Sequence, residues 1–82
     1  MSLAPLRVLV TGAASGIGAA VCRRIAAPGV KILVHTRSRE AEAEAVAVEC
    51  RGKGAECAVA LGDLAEAETA ARLVREAMAA FG

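Results

Sequence analysis

Three glycines with the spacing G-x-x-x-G-x-G lie near the start of the chain. Gly12, Gly16 and Gly18 follow a short aliphatic run, residues 6–11, and open a segment with helical periodicity. A glycine-rich turn between a buried strand and a helix leaves backbone amides free to bind a phosphate, which needs no side chains there. The pattern therefore favours a phosphate-binding β-α unit, and the alternative is that the glycines only form a tight turn.

Each glycine has its own expected role. Gly12 permits the tight turn, Gly16 lets the backbone approach a pyrophosphate, and Gly18 allows close packing of the helix on the strand. The spacing differs from G-x-G-x-x-G, and no Lys-Ser or Lys-Thr pair follows as in a P-loop. The free amides and the helix dipole favour negative charge. The candidate pyrophosphate-binding residues are Gly12, Ser15, Gly16, Ile17 and Gly18.

The helix after this turn is predicted over residues 16–27. Ile17, Val21 and Ile25 recur at four-residue spacing and predict its buried face. Pro28 and Gly29 end the helix, because Pro cannot continue the hydrogen bonding and Gly accepts a left-handed backbone.

Two further strand–helix units follow without linkers. Strands are predicted at Val30–Thr36 and Glu56–Leu61, both apolar runs of the kind that lie buried in a parallel sheet. Between them, residues 41–48 alternate as a strand would, but their Ala and Glu content favours a helix. This helix is predicted from Ser38, its expected N-cap, to about Arg51.

A last helix is predicted over residues 63–80. Asp63 and Glu66 form an expected capping box, and Glu68 with Arg72 an i,i+4 ion pair. Its expected apolar face consists of Leu73, Val74, Ala77, Met78 and Phe81. The order β-α-β-α-β-α with short connections predicts an α/β fold, the N-terminal half of a Rossmann-type doubly wound parallel sheet.

Composition excludes several other classes of protein. The chain has 82 residues, 56% of them hydrophobic, and a net charge of +1 without a basic block, so nucleic acid is not an expected partner. No apolar run is long enough to span a membrane, and residues 1–7 lack the pattern of a secretory signal. Cys22, Cys50 and Cys57 lack C-x-x-C spacing, which favours buried thiols in the cytoplasm over a redox or metal site.

The segment TGAASGIG, residues 11–18, is similar to the T-G-x-x-x-G-x-G cofactor signature of the short-chain dehydrogenase/reductase family. Lys-Ile-Leu-Val in the second strand and Gly-Asp-Leu after the third agree with that family, including its 3-oxoacyl-[acyl-carrier-protein] reductase-like members. The resemblance covers essentially the whole chain. It implies that residues 1–82 are an NAD(P)-binding half of a larger single domain, and that Asp63 and the Leu64 backbone line the adenine pocket.

The end of the second strand bears on the choice of cofactor. The resemblance implies that NAD-dependent members have an acidic residue there, which bonds the ribose hydroxyls. Thr36, eighteen residues after Gly18, is neutral, and Arg37 follows it. A guanidinium binds a 2′-phosphate and a carboxylate repels it, so NADP is expected in preference to NAD, with Arg37 as the ligand. The alternative is that Arg37 and Arg39 are ordinary solvated side chains.

Catalytic residues are not expected within this chain. The resemblance implies a Tyr acid/base assisted by Lys, Ser and Asn, but the chain has no Tyr and no Asn, and Lys31 and Lys53 come too early. His35, the only histidine, is expected to be packed or loop-facing rather than a catalytic base. We expect the complete enzyme to be an NADP(H)-dependent, homo-oligomeric oxidoreductase acting on a small carbonyl or alcohol. The alternative is a non-catalytic dinucleotide-binding module that acts as a sensor or binds a partner.

Overall fold

The computed structural model describes residues 6–81, in which three strands alternate with three helices. The elements are β1 (Leu6–Val10), α1 (Gly16–Ile25), β2 (Val30–Thr36), α2 (Glu40–Gly52), β3 (Glu56–Leu61) and α3 (Ala67–Phe81). The order confirms the predicted β-α-β-α-β-α chain. Residues 1–5, which belong to the segment tested for a secretory signal, and Gly82 lie outside the described residues.

The sheet is parallel, with β2 in the centre. β1 pairs with β2 from Leu6 opposite Val30 to Val10 opposite Val34, and β3 pairs along the other side of β2. Within residues 6–81, β1 pairs with β2 alone. Because all strands run the same way, their carboxyl ends meet at one edge of the sheet, where ligands of open α/β folds bind.

The core has two layers, one on each face of the sheet. On one face, α1 and α2 cover Ile32 and Val34 of β2. On the other face, Leu33 packs with Leu73 and Phe81 of α3. Neighbouring residues of β2 are thus buried on opposite faces, which explains its uninterrupted apolar sequence. Helices on both faces confirm the doubly wound arrangement. No helix within residues 6–81 is long and apolar enough to cross a membrane.

The segment that alternates in sequence is a helix, as its Ala and Glu content predicted. Its buried residues are spaced as one helical face: Ala43, Val46, Ala47 and Cys50. The predicted N-cap was wrong, because α2 begins at Glu40 and Arg39 occupies the cap position without a side-chain bond. The side chain that bonds to the backbone of this turn is that of Thr36 rather than Ser38. Its Oγ1 accepts a hydrogen bond from the Arg39 amide at 3.2 Å.

α1 buries a different face from the predicted one. Of the three predicted residues only Ile25 packs against the core, whereas Ile17 is 85% exposed and Val21 is also exposed. Ala19 and Cys22 are fully buried instead. Gly18 explains the difference, because a Cβ there would lie 2.9 Å from the Ala13 Cα and overlap the backbone of the turn. The helix therefore packs through its small residues. It also ends at Ile25, two residues before the predicted end.

The predicted capping box at the start of α3 was wrong. The helix begins at Ala67, four residues after Asp63. The Asp63 carboxylate instead accepts a hydrogen bond from the Ala65 amide at 2.9 Å, and the Glu66 amide donates to the Asp63 carbonyl at 3.0 Å. These bonds form a separate turn between β3 and α3.

Side chains of α3 differ in two ways from the prediction. Arg72 forms its i,i+4 ion pair with Glu76, at 3.0 Å, rather than with Glu68. Leu73 and Phe81 of the expected apolar face are buried, but Val74 and Met78 are more than half exposed. Residues 6–81 therefore cover only part of the apolar face of α3.

Candidate functional site

An open cleft of about 340 Å³ lies beyond the carboxyl ends of β1 and β2. The glycine-rich turn forms one side, and the segment after β2 forms the other. Its lining residues are Gly12, Ala14, Ser15, Thr36, Arg37, Ser38 and Arg39. The structure thus brings together Gly12, Ser15 and Arg37, which the sequence placed on two separate turns.

The amino end of α1 borders this cleft at Ser15, whereas Gly16, Ile17 and Gly18 are not among the lining residues. Ser15 is the N-cap, with an extended backbone, and its carbonyl accepts the first helical bond from Ala19 at 3.4 Å. The amides of residues 16–18 precede that bond, so they have no acceptor within the helix. The first turn contains no acidic side chain. This helix end is suited to bind an anion.

The three glycines of the turn are required for two different reasons. Gly12 and Gly16 have φ angles of 60° and 61°, in the left-handed region that other residues rarely adopt, and open space surrounds both positions. Gly18 has an ordinary helical backbone but leaves no room for a side chain. Its close partner is the turn at Gly12 and Ala13, rather than the predicted strand.

Arg37 and Asp63, predicted to bind different parts of a cofactor, form an ion pair. Arg37 Nε lies 3.4 Å from Asp63 Oδ2, and the Arg37 side chain is 77% exposed. Asp63 Oδ1 is occupied by the Ala65 amide, which fixes the orientation of the carboxylate. Leu64 follows in the same turn and is partly exposed. Arg37, which lines the cleft, is therefore an exposed charged side chain, and its partner Asp63 is partly buried.

Thr36 occupies the position where the resemblance implies an acid in NAD-dependent members. It is buried, and its hydroxyl bonds to the Arg39 amide. The end of β2 therefore presents no carboxylate to the cleft. Asp63 brings a negative charge to Arg37, with which it forms an ion pair.

His35 makes contacts that the sequence did not specify. It is 2% exposed, and its Nδ1 accepts a hydrogen bond from the Gly12 amide at 3.2 Å. Its Nε2 lies 2.7 Å from the Gly62 carbonyl, to which it donates because Nδ1 is the acceptor. The prediction of a packed or loop-facing residue is confirmed on both counts. No signal in a single sequence could have identified the two loops that the ring joins.

The cysteines have the character of buried apolar residues. Cys22 and Cys50 are buried and Cys57 is half-buried. Burial raises the pKa of the Cys22 and Cys57 thiols to about 11 and also raises the pKa of Cys50. These groups are therefore protonated at neutral pH, whereas nucleophilic and metal-binding cysteines are thiolates. Among residues 6–81, no group of three or more ligating side chains could hold a metal ion.

A doubly wound parallel sheet with a glycine-rich turn at the head of its first helix defines a Rossmann-type α/β protein. The sequence model of the family described as short chain dehydrogenase matches residues 6–82. The chain belongs to this family.

Curated relatives are similar over most of this chain. It is 33% identical, over 93% of its length, to a glucose 1-dehydrogenase from Gluconobacter oxydans. It is 38% identical, over 90% of its length, to an A-factor type gamma-butyrolactone 1′-reductase from Streptomyces virginiae. It spans only 29% and 28% of these two proteins.

Solved structures are also similar over most of this chain. A putative dehydrogenase from Burkholderia cenocepacia with bound NADP is 32% identical and superimposes with a TM-score of 0.88 over 95% of this chain. The promiscuous reductase LugOII, which catalyses keto-reduction at C1 during lugdunomycin biosynthesis, is 32% identical with a TM-score of 0.80 over 89% of this chain. The chain spans 31% and 30% of these two structures.

Proposed function

We propose that this chain is the dinucleotide-binding part of an NADP(H)-dependent oxidoreductase that interconverts carbonyl and alcohol groups. One observation supports it most: a single cleft is lined both by Ser15, the N-cap of α1, and by Arg37, whose side chain is exposed. A dinucleotide phosphate has negative groups at two separate places, and the cleft offers a positive group for each.

The residues of the cleft fit this cofactor in a definite arrangement. The amides of residues 16–18 and the turn at Gly12 and Ser15 would hold the pyrophosphate, with open space beside Gly12 and Gly16 for its approach. Asp63 and Leu64, on the turn after β3, would contact the adenine. Arg37 would bind the 2′-phosphate. The bound cofactor supplies a hydride for the reduction of a carbonyl.

Magnitudes favour NADP over NAD. A charge-assisted contact between Arg37 and a 2′-phosphate is worth about 1.5–3 kcal/mol. The competing ion pair with Asp63 is exposed, and pairs of that kind contribute about 0–1 kcal/mol. A 2′-phosphate would therefore replace Asp63 as the partner of Arg37 with a net gain in binding free energy. With Thr36 neutral, the end of β2 offers no carboxylate to bond the ribose of NAD.

The relatives support an oxidoreductase whose catalytic residues lie elsewhere in a longer protein. They include a dehydrogenase and two reductases, and this chain spans about three tenths of their length. The chain itself contains no Tyr and no Asn. We propose that residues 1–82 are a Rossmann half-domain, a fragment of a larger single domain, and that the complete enzyme is a homo-oligomer.

The test compares the 82-residue chain with the complete protein. The complete protein should bind NADPH more tightly than NADH, and should oxidise NADPH in the presence of ketones, measured by loss of reduced-nicotinamide absorbance. The 82-residue chain should give no turnover, because it has no Tyr to protonate the developing alkoxide. Turnover by a chain of verified mass, above a contaminant control, would contradict the proposed division of the site.

A second candidate is a non-catalytic dinucleotide-binding module. It is favoured only by the lack of a Tyr in a chain that has the features of a cofactor cleft. Intact mass of the protein purified from its own cells separates the two. A mass matching 82 residues would support the module, and a mass about three times larger would support the enzyme.

A further inference from the structure

His35 connects the two turns that flank the central strand at its carboxyl end. Its ring accepts a hydrogen bond from Gly12, the first glycine of the turn after β1. Through its other nitrogen the ring donates to the carbonyl of Gly62, the residue before Asp63 in the turn after β3. A single neutral ring, with its proton on Nε2, satisfies both contacts.

These contacts begin where the backbone ladder ends. The regular pairing of β1 with β2 stops at Val10, and that of β2 with β3 stops at Leu61. One further backbone bond follows on each side: the Ala13 amide donates to the His35 carbonyl at 2.7 Å, and the Gly62 amide donates to the Thr36 carbonyl at 3.2 Å. Beyond these bonds, the His35 side chain contacts both turns.

The two turns hold different parts of the ligand under the proposed function, on which this inference rests. The turn at Gly12 belongs to the pyrophosphate side of the cleft, and Gly62 precedes the proposed adenine residues. A dinucleotide must contact both turns at once, so its affinity depends on their separation. Holding two binding groups in the correct geometry before the ligand arrives is a source of affinity.

We infer that His35 is a positioning residue for the cofactor, which fixes the separation of the pyrophosphate and adenine turns through its two ring nitrogens. The residue is 2% exposed and both ring nitrogens bond to the turns, so it acts through them. The competing explanation is that a buried histidine only stabilises the fold by satisfying its own hydrogen bonds.

Substitutions at His35 can separate the two bonds. An Asn amide ends near the position of Nδ1 and can still accept from Gly12, whereas a Gln amide ends near Nε2 and can still donate to Gly62. His35→Phe fills the space and removes both bonds. Val30→Ala is the matched control, because Val30 is a buried residue at the other end of the same strand, about 16 Å away.

The experiment measures thermal stability and the affinities of NADPH, NADH and adenosine for the complete protein and its variants. Loss of one neutral hydrogen bond should weaken a bound dinucleotide by about two- to tenfold. We expect His35→Phe to weaken NADPH and NADH equally and by more than either His35→Asn or His35→Gln. Adenosine, which contacts the adenine turn alone, should be affected less. Val30→Ala should lower stability and leave all three affinities near wild type.

Each failure has a distinct result. If the wild-type protein binds neither NADPH nor NADH, the proposed function fails. If it binds both and His35→Phe binds them equally well, or loses NADH and adenosine to the same extent, His35 does not position the turns. If His35→Phe does not fold, the Asn and Gln variants decide: wild-type NADH affinity in both overturns the inference, and a loss greater for NADH than for adenosine supports it.

Discussion

The two sides of the cleft are built from different parts of the polypeptide. On the proposed pyrophosphate side, the glycine-rich turn and the start of α1 present backbone amides held by conformation and close packing. On the proposed adenosine side, Arg37 presents an exposed charged side chain, and Asp63 a partly buried one. The fold fixes the positions of the backbone amides on the first side, whereas the second side consists of side chains that can change without altering the fold.

This difference corresponds to two tasks. NAD and NADP share their pyrophosphate, so backbone amides cannot distinguish between them. The cofactors differ by a 2′-phosphate, and a side chain can be matched to that group without disturbing the strand that carries it. Changes on the backbone side should therefore affect both cofactors and the fold, while changes on the side-chain side should affect the ratio of affinities.

The largest effect is expected for Gly18→Val. The new side chain would overlap the backbone of Gly12 and Ala13, which cannot move without shifting the turn. Such overpacking costs about 1–3 kcal/mol or more, and both cofactors should be lost together with a lower melting temperature. Gly52→Ala is the control, because Gly52 is a helical glycine in open space and its substitution should be neutral or stabilising. Equal melting temperatures for the two variants would disprove the close packing.

Gly16→Val should abolish binding of both cofactors with a smaller effect on the fold. Its φ of 61° strains any β-branched residue, at a cost of about 1–3 kcal/mol, and the side chain would occupy the space proposed for the pyrophosphate. Gly29→Val imposes a similar strain, at φ 88°, in the turn before β2 at the opposite edge of the sheet. Calorimetric titration should show binding for Gly29→Val and none for Gly16→Val. Unchanged affinity in a folded Gly16→Val protein would exclude this pyrophosphate site.

Arg37→Ala should act on one cofactor only. Removing the charge-assisted contact should weaken NADPH by about ten- to a hundredfold, or 1.5–3 kcal/mol, and leave NADH nearly unchanged. Competitive binding at fixed ionic strength measures this, because salt screens exposed charges. Arg39→Ala is the matched control from the same cleft and should have the smaller effect. Equal losses of NADPH and NADH in Arg37→Ala would show that the residue supports the fold instead.

The smallest effect is expected for Asp63→Asn. The amide oxygen can still accept from Ala65, but the carboxylate charge that pairs with Arg37 is gone. An exposed pair of this kind is worth about 0–1 kcal/mol, so the ratio of NADPH to NADH affinity should rise by up to about fivefold. Any change in the adenine contact applies to both cofactors and cancels in this ratio. A fall in the ratio would mean that Asp63 orients Arg37 toward the phosphate rather than competing for it.

The sequence predicted which segments form strands and helices better than it predicted the buried faces and starts of the helices. The bounds of β2 and β3 match the prediction, because a short apolar run flanked by Gly or Pro has little choice of structure when it lies in a parallel sheet. The buried face of α1 was wrong, since aliphatic spacing suggested Ile17 and Val21 while Gly18 lets the helix pack through its small residues. Helix starts were also wrong, at Ser38 and Asp63, because other groups supply the turns there.

The candidate site also has features that the sequence predicted and features that only the structure shows. The glycine spacing alone predicted a phosphate-binding turn, because positive φ angles and close backbone approach are properties of glycine itself. The neutral residue at position 36 and the arginine after it were equally visible in the sequence. The sequence did not show that Arg37 meets Asp63, or that His35 joins the turns after β1 and β3. These contacts join residues 26, 23 and 27 positions apart, and only the pairing of β2 with both neighbours brings them within bonding distance.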